Sequence, residues 1–326
     1  MNSFGRKFKI SIFGESHGKS VGVTIDGCPP GIEISEAAFL DDLDRRRSGA
    51  KGTTPRLESD LPDIISGVFN GYTTGAPITI VFKNEDTRSK DYSKLRDHPR
   101  PGHADFTAFK KYNGFNDYRG GGHFSARLTL ALVSAGVLAK KIIKPVEIHA
   151  NLISVHGNSN IDQEIDEAIA RAESVGGIVQ CVATNLPIGL GEPFFDSVES
   201  VISHLVFAIP AIKGIEFGSG FQAAQMFGSE HNDLIIDEIG RTETNHAAGI
   251  NGGITNGNDL IFRIAVKPTS SISKAQGTFN MKSGKMEELM IGGRHDVCVA
   301  LRVPVILEAA TAIALADFFL ISTPKK

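Results

Sequence analysis

Apolar and polar residues alternate with period two at 7–13 (KFKISIF) and at 21–26 (VGVTID), which predicts two strands. The GESHG between them is too polar and too glycine-bounded for a plain hairpin turn. CPPG at 28–31 is a rigid turn. Ser35 is then placed to cap a helix, SEAAFLDDLDRRR, whose basic end suits the negative pole of its dipole. Strands are predicted at 64–69 and 77–82, joined as a hairpin through NGYTTGA and flanked by polar loops.

Two runs lack a polar face, 128–139 and 303–321. The first is shorter than the ~20 residues a membrane helix needs, and the second is interrupted by Pro304, Glu308 and Asp317. Both are therefore predicted to be buried core helices, the first spanning 125–143. Between them the pattern predicts a strand at 146–156 and a helix at 161–175 ended by Gly176-Gly177. A strand at 178–184, a helix at 198–209 and strands at 215–217 and 260–266 follow. No GxGxxG follows a strand, which argues against a dinucleotide-binding fold. The two apolar helices have similar entries, GGGHFSAR and GGRHDVC, which suggests internal pseudo-symmetry. No Pro/Ser-rich linker divides the chain, so one domain over 1–326 is expected.

Composition narrows the partners. The 326 residues are 41% hydrophobic and 22% charged with net charge −3, ordinary for a globular protein and unsuited to nucleic acid or an acidic membrane surface. Basic residues are nonetheless clustered, at Arg45-Arg46-Arg47 and around Arg100, which suits a small anionic ligand. Three scattered cysteines, Cys28, Cys181 and Cys298, argue for reduced thiols in a cytoplasmic protein and against a disulfide framework or metal site. The N-terminus enters strand-like alternation with no signal-peptide block.

Candidate chemistry is densest at 98–127 (HPRPGHADFTAFKKYNGFNDYRGGGHFSAR). Pro99 and Pro101 hold Arg100 extended, and Gly102 frees the chain before His103. Gly120 to Gly122 lead through His123 and Ser125 to Arg127, a cation in the first turn of a helix, where the dipole opposes it. A bound anion at that end would explain it. Asp105 either orients the His103 ring or joins it in capping a helix near Ala104. His17 in GESHG is either a titrating acid or a plain turn residue. KPTSS at 267–271 offers an ammonium, hydroxyls and turn amides to a phosphate, or is simply a proline-terminated strand end.

In combination, FGESHG, DGCPPGI, DLDRRR, RPGHADFT, DYRGGGHFSAR, KPTSS and GRHDVC occur in this order, and the chain resembles the chorismate synthase family from residue 4 to about 321. The resemblance implies an α+β fold, a β-α-β sandwich with long central helices between antiparallel sheets, assembled as a homotetramer. It implies conversion of 5-enolpyruvylshikimate 3-phosphate to chorismate by 1,4-anti elimination, with reduced FMN required. By the family roles, His17 is the acid assisting phosphate departure, His103 serves the reduced flavin and Asp296 helps remove the ring proton. Ser16, Arg46, Arg100 and Arg127 fall to the substrate. Flavin contacts fall to His123, Phe124, Ser125, Pro210, Ala211, Gly252, Lys267, Pro268, Thr269, Ser270, Ser271 and Arg294. NADPH enters only as a reductant, and an external flavin reductase is expected as partner. The chain departs from the family pattern in reading HFS for RSS at 123–125, VC for PC at 297–298 and AAG for AGG at 247–249. The loop after Arg47 is short, leaving Lys51 or Gly52 where a second substrate arginine belongs. The competing readings are a diverged flavin- or anion-binding paralogue without elimination activity, and a general anion-binding scaffold.

Overall fold

Alternating side chains become two antiparallel sheets, and the two apolar runs become the helices between them. The computed structural model describes residues 2–56, 58–86, 95–292 and 295–322. In chain order its first half contains β1 (Ser3–Phe4), β2 (Lys9–Gly14), β3 (Ser20–Asp26), α1 (Leu40–Arg46), β4 (Asp63–Ser66), β5 (Val68–Phe69), β6 (Tyr72–Thr73), β7 (Ile78–Lys83), α2 (Asp105–Lys111) and α3 (Thr129–Ile142). The second half contains β8 (Glu147–Val155), α4 (Ile161–Ala170), β9 (Gly177–Thr184), α5 (Val198–Val206), β10 (Ile212–Phe217), α6 (Gly228–His231), β11 (Ile250–Asn251), β12 (Ile254–Thr255), β13 (Leu260–Val266), β14 (Gln276–Asn280), β15 (Lys285–Leu289) and α7 (Val303–Ser322).

The first sheet has the order β1-β2-β3-β7-β4 and the second β10-β13-β9-β8. Every pairing in both is antiparallel. Val21, Val23 and Ile25 of β3 stand opposite Phe82, Ile80 and Ile78 of β7, and all six are buried. On the second sheet Leu260, Phe262 and Ile264 face Ala183, Cys181 and Val179. The period-two pattern thus sends one apolar row from each strand inward. α3 packs on the first sheet, α7 on the second, and the helices pack on each other. Gly136 permits this approach, since a Cβ there would lie 2.4 Å from the Cβ of Ala309. Each fully buried Leu or Ile of this layer contributes about 1.5–3 kcal/mol.

Two buried carboxylates hold the layers in register. Glu308 of α7 accepts from Arg45 Nη2 at 2.6 Å, Lys140 Nζ at 3.0 Å and the Ala150 amide at 3.1 Å, linking α1, α3 and β8. Asp317 accepts the amides of Arg6, Lys7 and Phe8 at 2.6–3.0 Å, tying the N-terminal segment to the far end of α7. These two carboxylates, which break the apolar pattern, are therefore buried with partners. Helical segments Arg119–Ile142 and Val299–Ser322 are long and apolar enough to cross a membrane by length and composition, and both are largely buried here.

Local details depart from the pattern. Ser35 makes no side-chain cap, and the first turn at Glu36–Phe39 is a 3-10 helix. α4 ends at Ala170, ahead of the glycine pair, because Ala172 turns left-handed at φ 55° and Glu173 bonds back to Ala168. β4 pairs with β7 as expected, with the β5–β6 hairpin inserted between them. The β14–β15 hairpin carries no signal read from the sequence. All three cysteines are free and buried, and burial alone pushes the Cys28 thiol up to about 11.

Candidate active site

Both core helices open at their N-termini onto one cavity of about 750 Å³, whose wall includes residues 123–129 on one side and His295, Asp296, Val299 and Arg302 on the other. The two helix entries thus meet at one place through residues 123–129 and His295, Asp296, Val299 and Arg302. Lys and Arg side chains outnumber carboxylates on its wall: Arg46, Arg47, Arg56, Arg100, Arg127, Arg302, Lys213 and Lys267 stand against Glu58, Asp60 and Asp296. The wall also includes apolar residues, among them Phe4, Ile10, Ile12, Leu132 and Ile209. A cavity within the ~300–1,000 Å³ range for ligand clefts, lined by both cations and apolar side chains, suits anionic ligands with an unsaturated or aromatic body.

The RRR run is divided by the turn of α1. Arg45 pairs outward with Glu308 and Asp42, Arg46 is fully buried, and Arg47 bonds the Ser59 carbonyl at 2.9 Å. Arg46 Nη2 gives 2.6 Å to Asp60 Oδ2, and Arg127 Nη1 bonds the other oxygen of the same carboxylate. Arg127 also donates through Nε to Asn84 at 3.1 Å and through Nη2 to the Lys83 carbonyl at 3.3 Å. Nε and Nη1 of Arg46 find no partner among the described residues.

The RPGH turn is a clamp. Asp105 takes Arg100 Nε at 2.7 Å and Nη2 at 2.8 Å, and His103 Nδ1 lies 2.6 Å from Asp105 Oδ1. Arg100 Nη2 also lies 3.0 Å from that Nδ1. The carboxylate contact is the shorter and takes the Nδ1 proton, which leaves Nε2 as the open nitrogen. Of the two readings left by the sequence, Asp105 orients the ring; Ala104 at the start of α2 has no side-chain cap. Burial alone would raise the Asp105 carboxyl, but Arg100 and His103 hold it far below the usual carboxylate range.

The glycine run lies between the two candidate histidines. A Cβ on Gly120 would sit 2.6 Å from His17 Nε2, and one on Gly121 3.6 Å from His103 Nε2. All three glycines have positive φ, and a Cβ on Gly122 would lie 1.9 Å from the Asp117 carbonyl, so no other residue fits this path. Ser16 and His17 are buried one layer behind the wall that Gly120 forms. Arg56, on the wall, donates to Ser16 Oγ at 2.9 Å and to its carbonyl at 3.1 Å. Burial, then Arg56 and Arg119, hold His17 below its ordinary value.

KPTSS is laced to the same turn. Lys267 Nζ donates to Ser270 Oγ at 2.8 Å and to the Gly102 carbonyl at 3.1 Å, and Arg100 Nη1 reaches Ser271 Oγ at 3.2 Å. The Lys267 amide bonds Ala211, so Pro210 and Ala211 join this wall. Thr269 Oγ1 is buried with no partner among the described residues. Burial, then the nearby Lys213, lower the Lys267 ammonium. Two cations crowded beside an orphaned hydroxyl mark a seat for an anion. Asp296 accepts the Thr54 amide at 2.9 Å and faces Arg302 Nη1 at 3.4 Å.

Of the remaining expected residues, Lys51 and Gly252 lie off the cavity and His123, Phe124 and Ser125 line it. Lys51 is exposed and paired with Asp166 at 2.6 Å, off the cavity; Arg56 is the further arginine on its wall. Gly252 sits at the exposed β11–β12 turn, also off the cavity. His123 lines the cavity, but its nitrogens are held by the Gly14 carbonyl at 2.8 Å and Asn2 at 3.1 Å. Ser125 accepts from the Arg127 amide, and Phe124 lies beside Tyr112. Arg294 lies outside the described residues. The sequence reading missed Arg56, Glu58, Asp60, Lys213 and Arg302. For three of them a signal existed: Arg56, Glu58 and Asp60 alternate in PRLESD, as on an extended segment with one inward face.

Comparison with known proteins bears on this cavity. The chain matches the family model described as Chorismate synthase over residues 8–320. It is 66% identical over 322 residues to the chorismate synthase of Chitinophaga pinensis, covering 98% of this chain and 97% of that one. It is 45% identical over 352 residues to that of Dehalococcoides mccartyi, covering 98% and 96%. A solved structure titled "Crystal Structure of Chorismate Synthase" superposes with a TM-score of 0.74 at 26% identity, covering 97% of this chain and 92% of that one.

Proposed function

This chain belongs to the chorismate synthase family, carbon–oxygen lyases of the shikimate pathway, and on that premise we propose that it converts 5-enolpyruvylshikimate 3-phosphate to chorismate and phosphate by 1,4-anti elimination with reduced FMN. One observation carries the reading: a single cavity gathers Arg46, Arg100, Arg127, His103 and Asp296, from segments scattered over the chain, with Nε and Nη1 of Arg46 and Nε of Arg47 lacking partners among the described residues. A substrate with two carboxylates and a phosphate needs several guanidinium groups at once. Arg46, Arg56, Arg100 and Arg127 fill that need, with Ser16 held by Arg56.

The residues present suit a flavin mononucleotide. Lys267, Lys213 and the orphaned Thr269 hydroxyl suit its phosphate, and Pro210, Ala211, Phe124 and the apolar wall suit its ring. When bound, the reduced flavin supplies electron density to an elimination in which phosphate leaves an unactivated ring. His103, with Nδ1 committed to Asp105, offers Nε2 to that ring. Asp296 helps remove the ring proton, acting together with the flavin. His17 protonates the leaving phosphate. Its low affinity for a proton in the free protein comes from burial, then from cations, and an arriving phosphate offsets those cations and so favours the charged imidazole.

The working protein in this reading is a homotetramer in the cytoplasm, reduced from outside by a flavin reductase. Exposed Phe221, Phe227, Leu234, Ile235, Ile236 and Ile239 cluster in one stretch and support assembly. The test is purified protein under anaerobic conditions with chemically reduced FMN and the substrate, followed by chorismate absorbance, with mass by light scattering. Absence of chorismate sinks the reading, and a monomer removes the tetramer. NADPH with oxidised FMN is expected to give no product until a flavin reductase is added.

A further inference from the structure

The arginine at the start of α3 already has an anion beside it, and that anion belongs to the chain. Asp60 lines the cavity together with Arg56 and Glu58, while Leu61 is exposed. Its backbone is left-handed, at φ 50°, a conformation a non-glycine residue adopts at some cost and one that Asp tolerates better than most. Its side chain has no exposed surface, and its two oxygens are divided between guanidinium groups from different elements, Arg46 at the end of α1 and Arg127 at the entry to α3. Each oxygen bonds an arginine, and an acceptor-only anion repels an anionic substrate, so the carboxylate serves the arginines.

We propose that Asp60 is a positioning residue for the elimination, holding Arg46 and Arg127 side by side as one anion seat and leaving Nε and Nη1 of Arg46 for the substrate. Three guanidinium groups crowd this point, because Arg302 Nε also reaches the Arg46 carbonyl at 2.9 Å. Without a counter-charge the guanidinium groups repel and separate. With Asp60 between Arg46 and Arg127 the pair keeps one net positive charge, enough to orient an anionic group yet low enough to release it. Burial and the charges of Arg302 and Arg127 weaken the Arg46 proton, while Asp60 opposes them. A buried guanidinium bonded on one side and open on the other is costly unless a ligand oxygen completes it.

This inference rests on the proposed elimination, and its test separates the two. Full-length wild type, Asp60→Asn and Asp60→Glu are compared by circular dichroism, turnover with reduced FMN, and calorimetric binding of inorganic phosphate. Asp60→Asn leaves the seat with one more positive charge and one misdirected guanidinium. It is expected to bind phosphate at least ten-fold more tightly while kcat falls at least 100-fold and KM does not rise. Asp60→Glu keeps the charge but moves it by one methylene, and is expected to lose kcat ten-fold or more with phosphate binding within three-fold of wild type. A folded Asp60→Asn with wild-type kcat and phosphate binding overturns the proposal. Loss of folding in both variants also overturns it, by making Asp60 a residue of the fold. A wild type that yields no chorismate removes the elimination reading alone, since phosphate binding still reports on the seat.

Discussion

Arg127 is a cation at the one point of a helix where the dipole disfavours it, and its surroundings show what offsets that cost. Asp60, Asn84 and the Lys83 carbonyl surround the guanidinium, so the anion its position called for is first supplied by the protein. His17 has the opposite problem. Burial, Arg56 and Arg119 all disfavour the imidazolium, whereas a general acid must carry a proton. In the free protein the useful form is therefore lost below the ordinary histidine range, and kcat/KM is expected to fall as pH rises through that lowered value. Removing a cation favours the charged form, so Arg119→Gln is expected to move this limb to higher pH. A pH profile of kcat/KM checks it, and an unmoved limb takes His17 out of the acid role. His17, His103, Arg100 and Arg127 were legible from the sequence because prolines, glycines and a misplaced charge drew attention to them. Arg56 and Asp60 were not, because a loop composition concealed an alternation that only a buried inner face makes meaningful.

At the scale of elements, helix geometry and glycine geometry decide most. Three consecutive arginines look equivalent in sequence, but Arg45 and Arg46 on α1 point about 100° apart, as 3.6 residues per turn requires, and Arg47 follows where the chain leaves the helix. One therefore serves the fold, one the seat and one the loop. The glycine run gives an equally direct expectation. Gly120→Ala adds a Cβ against the His17 ring at a left-handed φ of 57°, where any side chain is strained. Turnover is expected to drop 100-fold or more, with a stability loss of about 1–3 kcal/mol. Single-turnover kinetics and a denaturant titration measure the two; wild-type turnover would free the run from any part in the site. The strand and helix core was readable from period and length. Ends were not, because Ser35, Ala172 and the β5–β6 hairpin answer to local hydrogen bonds that no periodicity records.

Across the whole molecule, one carboxylate ties the layers together. Burial alone would raise Glu308, but Arg45, then Lys140 and the Ala150 amide, outweigh it and lower its value. A depressed carboxyl contributes stability above its unfolded value, and that contribution is lost as pH falls through the folded value. Glu308→Gln is expected to cost about 1–3 kcal/mol at neutral pH and to flatten the loss of stability below about pH 4.5. Urea titrations from pH 7 to pH 3 check both, and equal slopes for the two proteins would show that the network carries no such linkage. Burial of the two core helices was legible, since helices apolar on every side have to be covered on every side, while the sandwich that covers them was implied by the family resemblance.

By itself the sequence determined the two buried helices, the antiparallel strands, the clustered cations and the family, because these depend on periodicity, fixed turns and motif order. Only the tertiary structure decided which arginines share a carboxylate, that Lys51 faces Asp166 instead of the cavity, and that Gly120 and Gly121 separate His17 from His103. Those facts depend on where distant segments meet, and burial of the two helix entries against a common cavity brings them together. The helix that opens with a disfavoured cation thus sits over a seat built from α1, α3 and the loop that carries Asp60.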